Sequence, residues 1–300
     1  MITEMQPLTT PDASTISDAI FFQLMNVMGI KKPNFITRCL HPIFAPPANA
    51  MSELVVQLDR NIAVHGLTPA IKEFQGNFLS EPVVVGEELI PKGGPLMVVG
   101  NHPAAYDIVV LISAIKRDDL KVLHSDIPVL QMLPNMAAHG IPVPYNIPGR
   151  LRTVRSTIQH LKNGGAIFIF PKGNVEPDPT VSPGAVESLS GWSSSLELLL
   201  RSVPQTQTVV AISSGMLSKK WFNNPVIKMW KKYEQRQKVA EIFQIIGQLV
   251  TKKKPAINPL VIFSPALSVD ELGGLEATEG ALLNSIIEQA RQLLTKHPQH

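Results

Sequence analysis

From residue 83 onward, short apolar runs alternate with segments of helical pattern, and this alternation limits the chain to few architectures. Short runs rich in β-branched and aromatic residues predict buried strands, whereas apolar residues three and four apart predict helices. The predicted strands are residues 83–85, 96–99, 120–123, 166–170, 208–212 and 260–263, and the predicted helices begin near Ala105, Pro128, Gly149, Ser193 and Pro225. Strands and helices in this order predict an α/β fold with a largely parallel central sheet covered by helices.

Residues 1–75 show only helical patterns, which predicts an N-terminal helical segment before an α/β domain of residues 76–300. The first predicted helix has a broad apolar face formed by Ile16, Ala19, Ile20, Phe21, Phe22, Leu24, Met25, Val27 and Met28. So broad a face suits either packing on the main domain or a position in a bilayer interface. A second helix is predicted over residues 51–62, and a short third one after Thr68 and Pro69.

Composition excludes several classes of protein. A chain of 300 residues with 44% hydrophobic content can bury a sizeable core, which excludes a mostly disordered chain. The single cysteine, Cys39, cannot form an intramolecular disulfide, and this favours a reducing compartment. A net charge of +3 is too small by itself to imply a nucleic-acid partner. Without a basic leader or an apolar run of about 18 residues, we expect a cytoplasmic protein with peripheral membrane contact at most.

The junction between the predicted strand at residues 96–99 and the next helix carries a histidine and a carboxylate, His102 and Asp107. Ligands of open α/β sheets bind at the carboxyl ends of strands. Positions five apart on a regular helix point away from each other, so these side chains can pair only if the chain turns between them. Pro103 supports the turn because it disfavours the α region for His102. An imidazole held by a carboxylate is a suitable base for an alcohol proton, and a structural histidine is the alternative.

Two motifs of this sequence resemble those of one enzyme family. The motif Asn101-His102-x-x-x-x-Asp107 after an apolar strand resembles the first motif of the glycerophospholipid acyltransferases, of the lysophosphatidate acyltransferase type. The motif Phe170-Pro171-Lys172-Gly173, which also follows an apolar strand, resembles that family's Phe-Pro-Glu-Gly motif. The resemblance covers roughly residues 83–263. Two motifs in the right order are more specific than either one alone.

The resemblance implies transfer of a fatty acyl group from a thioester, either acyl-CoA or acyl carrier protein, to a hydroxyl of a glycerophosphate-type lipid. His102 would act as general base, and Asp107 would fix its tautomer and stabilise the imidazolium. No metal and no cofactor besides the thioester co-substrate are implied. Two alternatives remain open: acylation of a different lipid alcohol or amine, and a non-catalytic lipid-binding relative.

The second motif of the family departs from its pattern here. That motif ends in an arginine that grips the acceptor's phosphate, and Tyr145 stands at this position. Arg150 or Arg152, at the start of the following helix, would have to take its place, because a guanidinium fork suits a phosphate. The departure leaves the identity of the acceptor open.

The third motif also departs, since Lys172 replaces the glutamate and Asn174 replaces the threonine after Gly173. Lys172 would hold a phosphate as a point charge, with a solvated loop lysine as the alternative. Glu176 would recover the missing carboxylate. Gly173 would supply a backbone N–H to the site, because a side chain there would block close approach. Lys172, Gly173, Asn174 and Glu176 are therefore predicted to bind substrate.

Residues 219–254 form a basic segment with ten Lys or Arg and only two Glu. Aromatic and large apolar residues are interleaved with these charges: Trp221, Phe222, Met229, Trp230 and Tyr233. Such a pattern on an amphipathic segment resembles a binding site for an anionic membrane surface. Contact with an acyl carrier, an ordinary charged helix and a nucleic-acid surface are the alternatives. We expect the membrane and the acyl thioester as partners, and no nucleic acid.

Overall fold

Seven strands form one sheet in the computed structural model of the chain, which describes residues 10–30 and 32–299. The strands are β1 (Val83–Val85), β2 (Leu96–Gly100), β3 (Lys121–Ser125), β4 (Gly140–Val143), β5 (Ala166–Ile169), β6 (Gln207–Ser214) and β7 (Leu260–Phe263). Their order across the sheet is β1-β7-β6-β2-β5-β3-β4, and all neighbours are parallel except β6 and β7. The predicted α/β class with a largely parallel sheet is confirmed.

Helices precede the sheet and connect its strands. They are α1 (Ala13–Val27), α2 (Phe35–His65), α3 (Leu67–Phe78), α4 (Ala105–Ile115), α5 (Pro128–Gln131), α6 (Pro134–Ala138), α7 (Ile147–Lys162), α8 (Ala185–Ser188), α9 (Ser195–Ser202), α10 (Lys219–Phe222), α11 (Tyr233–Thr251) and α12 (Ala281–Leu294). Short 3₁₀ turns lie at Glu87–Leu89, Leu189–Gly191 and Ile227–Met229. The predicted N-terminal helical segment is confirmed as α1 to α3, and residues 1–9 of that segment lie outside the described residues.

Strands β2 and β5 lie in the middle of the sheet, and every residue in them is buried. Leu96 and Val98 point into a core shared with α2, α3, α4 and α11. Met97 and Val99 point into a second core shared with α7, α9 and α12. Parallel strands need crossover helices, and these cover both faces of the sheet. The loop that carries His102 therefore leaves a strand that is held from both sides.

Three local predictions were wrong. Residues 140–143 form a strand, β4, that the sequence pattern did not predict because it is short and contains Pro142. Proline is tolerated there because β4 is the edge strand of the sheet. The helix predicted near Pro225 begins only at Tyr233, after a 3₁₀ turn. Helix α2 begins at Phe35 and not near residue 51.

The early start of α2 runs against three internal prolines, Pro42, Pro46 and Pro47. Each proline removes a helical hydrogen bond and disfavours the interior of a helix. Asn34 offsets part of this cost, because its side chain accepts the Thr37 N–H at 3.0 Å and caps the helix. Packing against α1 also stabilises α2, and local sequence signals do not show this contact.

Helix α1 packs on α2 through a buried cluster of Phe21, Met25, Phe44 and Ala48. Of the two alternatives for the broad apolar face of α1, the structure therefore shows packing, although Phe22 remains about half exposed. Among the described helices, none combines the length and the apolar content needed to cross a bilayer.

Candidate active site

His102 and Asp107 lie together at the carboxyl edge of the sheet. Strand β2 ends at Gly100 and α4 begins at Ala105, so His102 lies in the short connection between them. His102 Nδ1 is 2.9 Å from Asp107 Oδ2. The same carboxylate oxygen accepts the Ala104 N–H at 3.2 Å, which orients Asp107 from the first turn of α4. The turn expected at Pro103 thus brings the two side chains into contact.

The pair is buried on one side and open on the other. Asp107 is completely buried, whereas 25% of the His102 side chain is exposed. Burial lowers the pKa of His102, but the charge of Asp107 and its hydrogen bond outweigh this effect and raise that pKa above its ordinary value. Nε2 takes no hydrogen bond from the described residues. With the Nδ1 proton held by Asp107, Nε2 is the ring nitrogen that can accept a proton.

The motif that begins at Phe170 lies beside the His102–Asp107 pair. Phe170 follows β5 directly and stacks on His102, with ring centroids 4.1 Å apart and planes inclined by 22°. Strand β5 pairs with β2 in parallel, so the two strands end at the same edge of the sheet. Phe168 contacts Phe170 edge to face at 4.6 Å. A Cβ at Gly100 would meet the Phe168 ring at 3.0 Å, and glycine therefore permits this close packing.

Glu176 holds the His102 loop in place through hydrogen bonds to the His102 backbone. Its Oε1 accepts hydrogen bonds from Ser188 Oγ and Trp192 Nε1, both at 3.0 Å. Its Oε2 accepts the His102 N–H at 3.1 Å, and the Glu176 N–H donates to the His102 carbonyl at 2.8 Å. Burial raises the pKa of Glu176, and the donors at Trp192 and Ser188 oppose that shift. Both oxygens of Glu176 thus bind protein donors, and the predicted contact of Glu176 with substrate stays a prediction.

Lys172, Gly173 and Asn174 form the turn after Phe170. Gly173 has a φ of +66°, which favours glycine, and its N–H donates to the Phe170 carbonyl at 3.0 Å. This N–H closes the turn, and the predicted contact of Gly173 with substrate stays a prediction. Lys172 Nζ donates to Ser188 Oγ at 2.9 Å, and Asn174 Oδ1 accepts from Lys238 Nζ at 2.8 Å. Lys172 and Asn174 are partly exposed, and their contact with substrate stays a prediction.

Arg150 and Arg152 lie in the first turns of α7, which follows the edge strand β4. Both side chains are exposed, and Arg150 Nε donates to the Pro144 carbonyl at 3.3 Å. Tyr145, in the same loop, is 83% exposed. Strand β4 is three positions from β2 in the sheet, which separates the two strand ends by about 14 Å. The structure thus leaves these residues at the rim of the carboxyl edge, and their contact with substrate stays a prediction.

Two buried polar residues to which the sequence analysis assigned no role hold the end of β6 and the loop after it. The Asn101 side chain accepts the Ser213 N–H at 2.7 Å and donates to the Ser213 carbonyl at 2.9 Å. Asp178 is completely buried and accepts the backbone N–H groups of residues 215–217 at 2.8 to 3.1 Å. Asn101 has a recognisable signal, since it directly follows a buried strand. Asp178 has none, because the three N–H groups that it accepts from this loop lie 37 to 39 residues further on.

Comparison with known proteins identifies the family of this domain. A family model described as Acyltransferase matches residues 81–185, which contain both the His102–Asp107 pair and the turn after Phe170. The chain carries an acyltransferase domain. The acyltransferase family predicted from the two motifs is thereby confirmed.

One solved structure similar to this acyltransferase is the 1-acyl-sn-glycerophosphate (LPA) acyltransferase PlsC from Thermotoga maritima. The two share 14% sequence identity with a TM-score of 0.46, over 95% of this chain and 96% of that chain. No curated protein sequence gives a match. Within residues 10–30 and 32–299 of the acyltransferase, no group of three His, Cys, Asp or Glu is arranged to hold a metal ion.

Helix α11 of the acyltransferase lies outside the family match and contacts the His102 loop through a buried polar face. Four residues at helical spacing form this face, and each is at most 6% exposed: Gln237, Glu241, Gln244 and Gln248. Gln237 Nε2 donates to the carbonyls of Pro103 and Glu176 at 2.5 and 2.7 Å. The sequence analysis missed these residues, because polar side chains at helical spacing usually indicate a solvent-exposed face.

The basic segment of the acyltransferase is not one amphipathic helix. Phe222 is buried, and Trp221, Trp230 and Tyr233 pack around it in a cluster with α11. The exposed lysines form a first lysine group before α11 (Lys219, Lys220, Lys228, Lys231 and Lys232) and a second lysine group after it (Lys252, Lys253 and Lys254). Helix α11 has 19 residues, so about 28 Å of helix separates the two groups.

Proposed function

We propose that this acyltransferase moves a fatty acyl group from a thioester, acyl-CoA or acyl carrier protein, to a hydroxyl of a glycerophosphate-type lipid. The observation that carries the proposal is the His102 imidazole, held by the buried Asp107 and partly exposed, within an acyltransferase domain. A general base must come within hydrogen-bond reach of the proton that it takes. The exposed side of His102 meets that requirement for an acceptor that approaches along the carboxyl edge.

The proposed reaction uses one proton relay. The acceptor hydroxyl gives its proton to His102 Nε2 as its oxygen attacks the carbonyl carbon of the thioester. Asp107 stabilises the resulting imidazolium through Nδ1. When the carbon–sulfur bond breaks, the leaving sulfur takes the proton from Nε2, and the ring returns to its starting form. The products are an ester and a free thiol, and we propose no cofactor beyond the thioester itself.

The direct test is an assay with labelled acyl-CoA and a lipid extract, scored by product mass and by release of free thiol. We expect thiol release to depend on the acceptor and to match ester formation. Thiol release without acceptor would indicate hydrolysis. The absence of thiol release with every acceptor and donor would favour the non-catalytic lipid-binding relative.

We predict that one arginine at the start of α7 binds an anionic group of the acceptor. Arg150 and Arg152 are about 200° apart around a helix, so at most one can face the site. Alanine at that position should raise the acceptor KM about tenfold to a hundredfold, as expected for a lost charged hydrogen bond, and the other substitution should have little effect. The measurement is the KM for a phosphorylated acceptor.

The matched control is Arg155→Ala, which removes the same charge one turn further along α7, where the side chain is also exposed. A phosphate-free acceptor provides the second comparison. If neither Arg150→Ala nor Arg152→Ala changes the acceptor KM, and the phosphate-free acceptor reacts equally well, a different lipid alcohol or amine becomes the better proposal. Tyr145 at the family's arginine position already favours including such acceptors in the assay.

We extend the proposal to peripheral contact with an anionic membrane on its cytoplasmic face. The first lysine group supports this contact, because the exposed Met229 and Val226 lie among its lysines. Exposed apolar side chains framed by cations suit a lipid headgroup surface. The group directly precedes α11, whose Gln237 binds the Pro103 carbonyl, so a membrane there would lie near the proposed site. The start of α2 adds the exposed Phe35.

Replacing Lys228, Lys231 and Lys232 together by glutamine should weaken binding to anionic vesicles about a hundredfold. The reason is that each lysine near such a surface contributes about 1 kcal/mol. The matched control is the second lysine group, because glutamine at residues 252–254 removes the same charge at the other end of α11. Vesicle sedimentation at low and high salt measures both. Equal losses in the two variants, or equal binding to neutral vesicles, would contradict the assignment.

A further inference from the structure

The N-cap residue of helix α4, the helix that carries Asp107, offers no side-chain acceptor to the first N–H groups of the helix. The residue at its N-cap is Ala104, which has no side-chain acceptor, although the first N–H groups of a helix need one. The Glu241 carboxylate from α11 accepts the N–H of Ala105, the first residue of α4. A negative charge is also favourable at this end of a helix. Helix α11 thus supplies an acceptor that the Ala104 side chain cannot provide.

The charges of Glu241 and of the His102–Asp107 pair also affect each other's pKa. Burial raises the pKa of Glu241 to about 7, against the opposing effects of the Ala105 N–H and of His102. The charge of Glu241 contributes to the raised pKa of His102, together with Asp107 and Glu176. From α4, Asp107 and Tyr106 face Glu241, and Lys238 faces it from α11.

We propose that Glu241 is a positioning residue for the His102–Asp107 pair, which it acts on by capping α4 and by placing a third carboxylate near the imidazole. The inference rests on the proposed function, because it concerns the same proton relay. Gln237 supports it, since one turn away on α11 this side chain holds the Pro103 carbonyl of the same loop. Helix α11 therefore holds the connection that carries His102 at two backbone groups, the Pro103 carbonyl and the Ala105 N–H.

Two substitutions separate the cap from the charge. Glu241→Gln keeps a side-chain oxygen for the Ala105 N–H but removes the charge, whereas Glu241→Ala removes both. We expect Glu241→Ala to lower kcat about tenfold to a hundredfold with little change in the thioester KM, because a small misplacement of a catalytic group costs about that much. Glu241→Gln should retain more of the turnover. Its acidic limb in the pH profile of kcat/KM should move to lower pH, since His102 loses a neighbouring negative charge.

The matched control is Gln244→Ala, which removes a polar side chain from the same buried face one turn further on. Gln244 bonds the backbone of Ser218 and Met216, both of which lie outside the His102 loop. This variant should change the melting temperature without moving the pH profile. If both Glu241 variants keep wild-type kcat and pH profile and change only the melting temperature, Glu241 is structural and the inference fails.

An NMR titration of His102 in wild type and in Glu241→Gln provides a readout that needs no substrate. We expect a lower pKa of His102 in the variant, and an unchanged titration would overturn the inference even if Glu241→Ala fails to fold. If the wild-type protein transfers no acyl group to any acceptor, the proposed function fails. The His102 titration would still report on Glu241 in that case, so the two failures are distinguishable.

Discussion

Replacing His102 by alanine is expected to lower acyl-transfer turnover about a hundredfold to ten-thousandfold while the fold is retained, because a placed general base contributes that much. The variant removes the side chain that is stacked on Phe170 and paired with Asp107. Release of free thiol from acyl-CoA in the presence of acceptor measures the loss, and circular dichroism checks the fold. The matched control is His65→Ala, which removes an exposed imidazole at the end of α2.

The pKa of His102 also determines how kcat/KM is expected to depend on pH. Because Asp107 raises the pKa of His102 above its ordinary value, the ring stays protonated, and cannot act as a base, to a higher pH than a free imidazole. The kcat/KM should therefore rise with pH through that raised pKa and then level off. A His102→Ala variant that keeps more than about a tenth of the turnover, or a wild-type profile without this limb, would exclude His102 as the base.

The parts of the site that the sequence predicted well depend on neighbours in the chain. His102 and Asp107 are five residues apart, and Pro103 between them indicates the turn that joins them. Strands β2 and β5 are buried on both faces, so each reads as an unbroken apolar run that ends at a motif. Local patterns of this kind were enough to place both motifs at one edge of a parallel sheet.

The parts that the sequence did not predict depend on contacts between distant residues. Glu241 caps a helix that begins 136 residues earlier, and Gln237 binds a carbonyl 134 residues earlier. Neither residue belongs to a local motif, and on α11 alone their spacing is that of a solvent-exposed face. The buried role of this face appears only when the fold brings α11 against the His102 loop.

Glu176 shows the same limit at a residue that the sequence did single out. Its position two residues beyond Asn174 suggested a carboxylate for substrate, because one was missing from the family motif. The contacts with Ser188 and Trp192 turn the side chain inward, and these partners lie 12 and 16 residues further on. Residue type and spacing could indicate an important carboxylate here, but they could not indicate the direction in which it points.

Glu176→Ala is therefore expected to lower kcat at least tenfold and to leave the acceptor KM nearly unchanged. The variant leaves three buried donors without an acceptor, the His102 N–H, Ser188 Oγ and Trp192 Nε1. An unsatisfied buried donor costs about 1 to 3 kcal/mol, so the free energy of unfolding should fall by about 3 kcal/mol or more. The His102 loop would lose the hydrogen bond that Glu176 accepts from its backbone, and His102 would be less well positioned. A misplaced base lowers turnover more than it lowers substrate binding.

The kcat and the free energy of unfolding of Glu176→Gln should lie between those of Glu176→Ala and the wild type. Glutamine has one oxygen and can keep only one of the two sets of hydrogen bonds that the carboxylate accepts. The matched control is Glu187→Ala, which removes an exposed carboxylate beside Ser188 and should change neither stability nor turnover. Steady-state kinetics with varied acceptor, together with urea unfolding, measure both effects. A strong rise in acceptor KM with unchanged kcat and stability would instead show that Glu176 binds substrate, and the inward orientation derived from its three hydrogen bonds would be wrong.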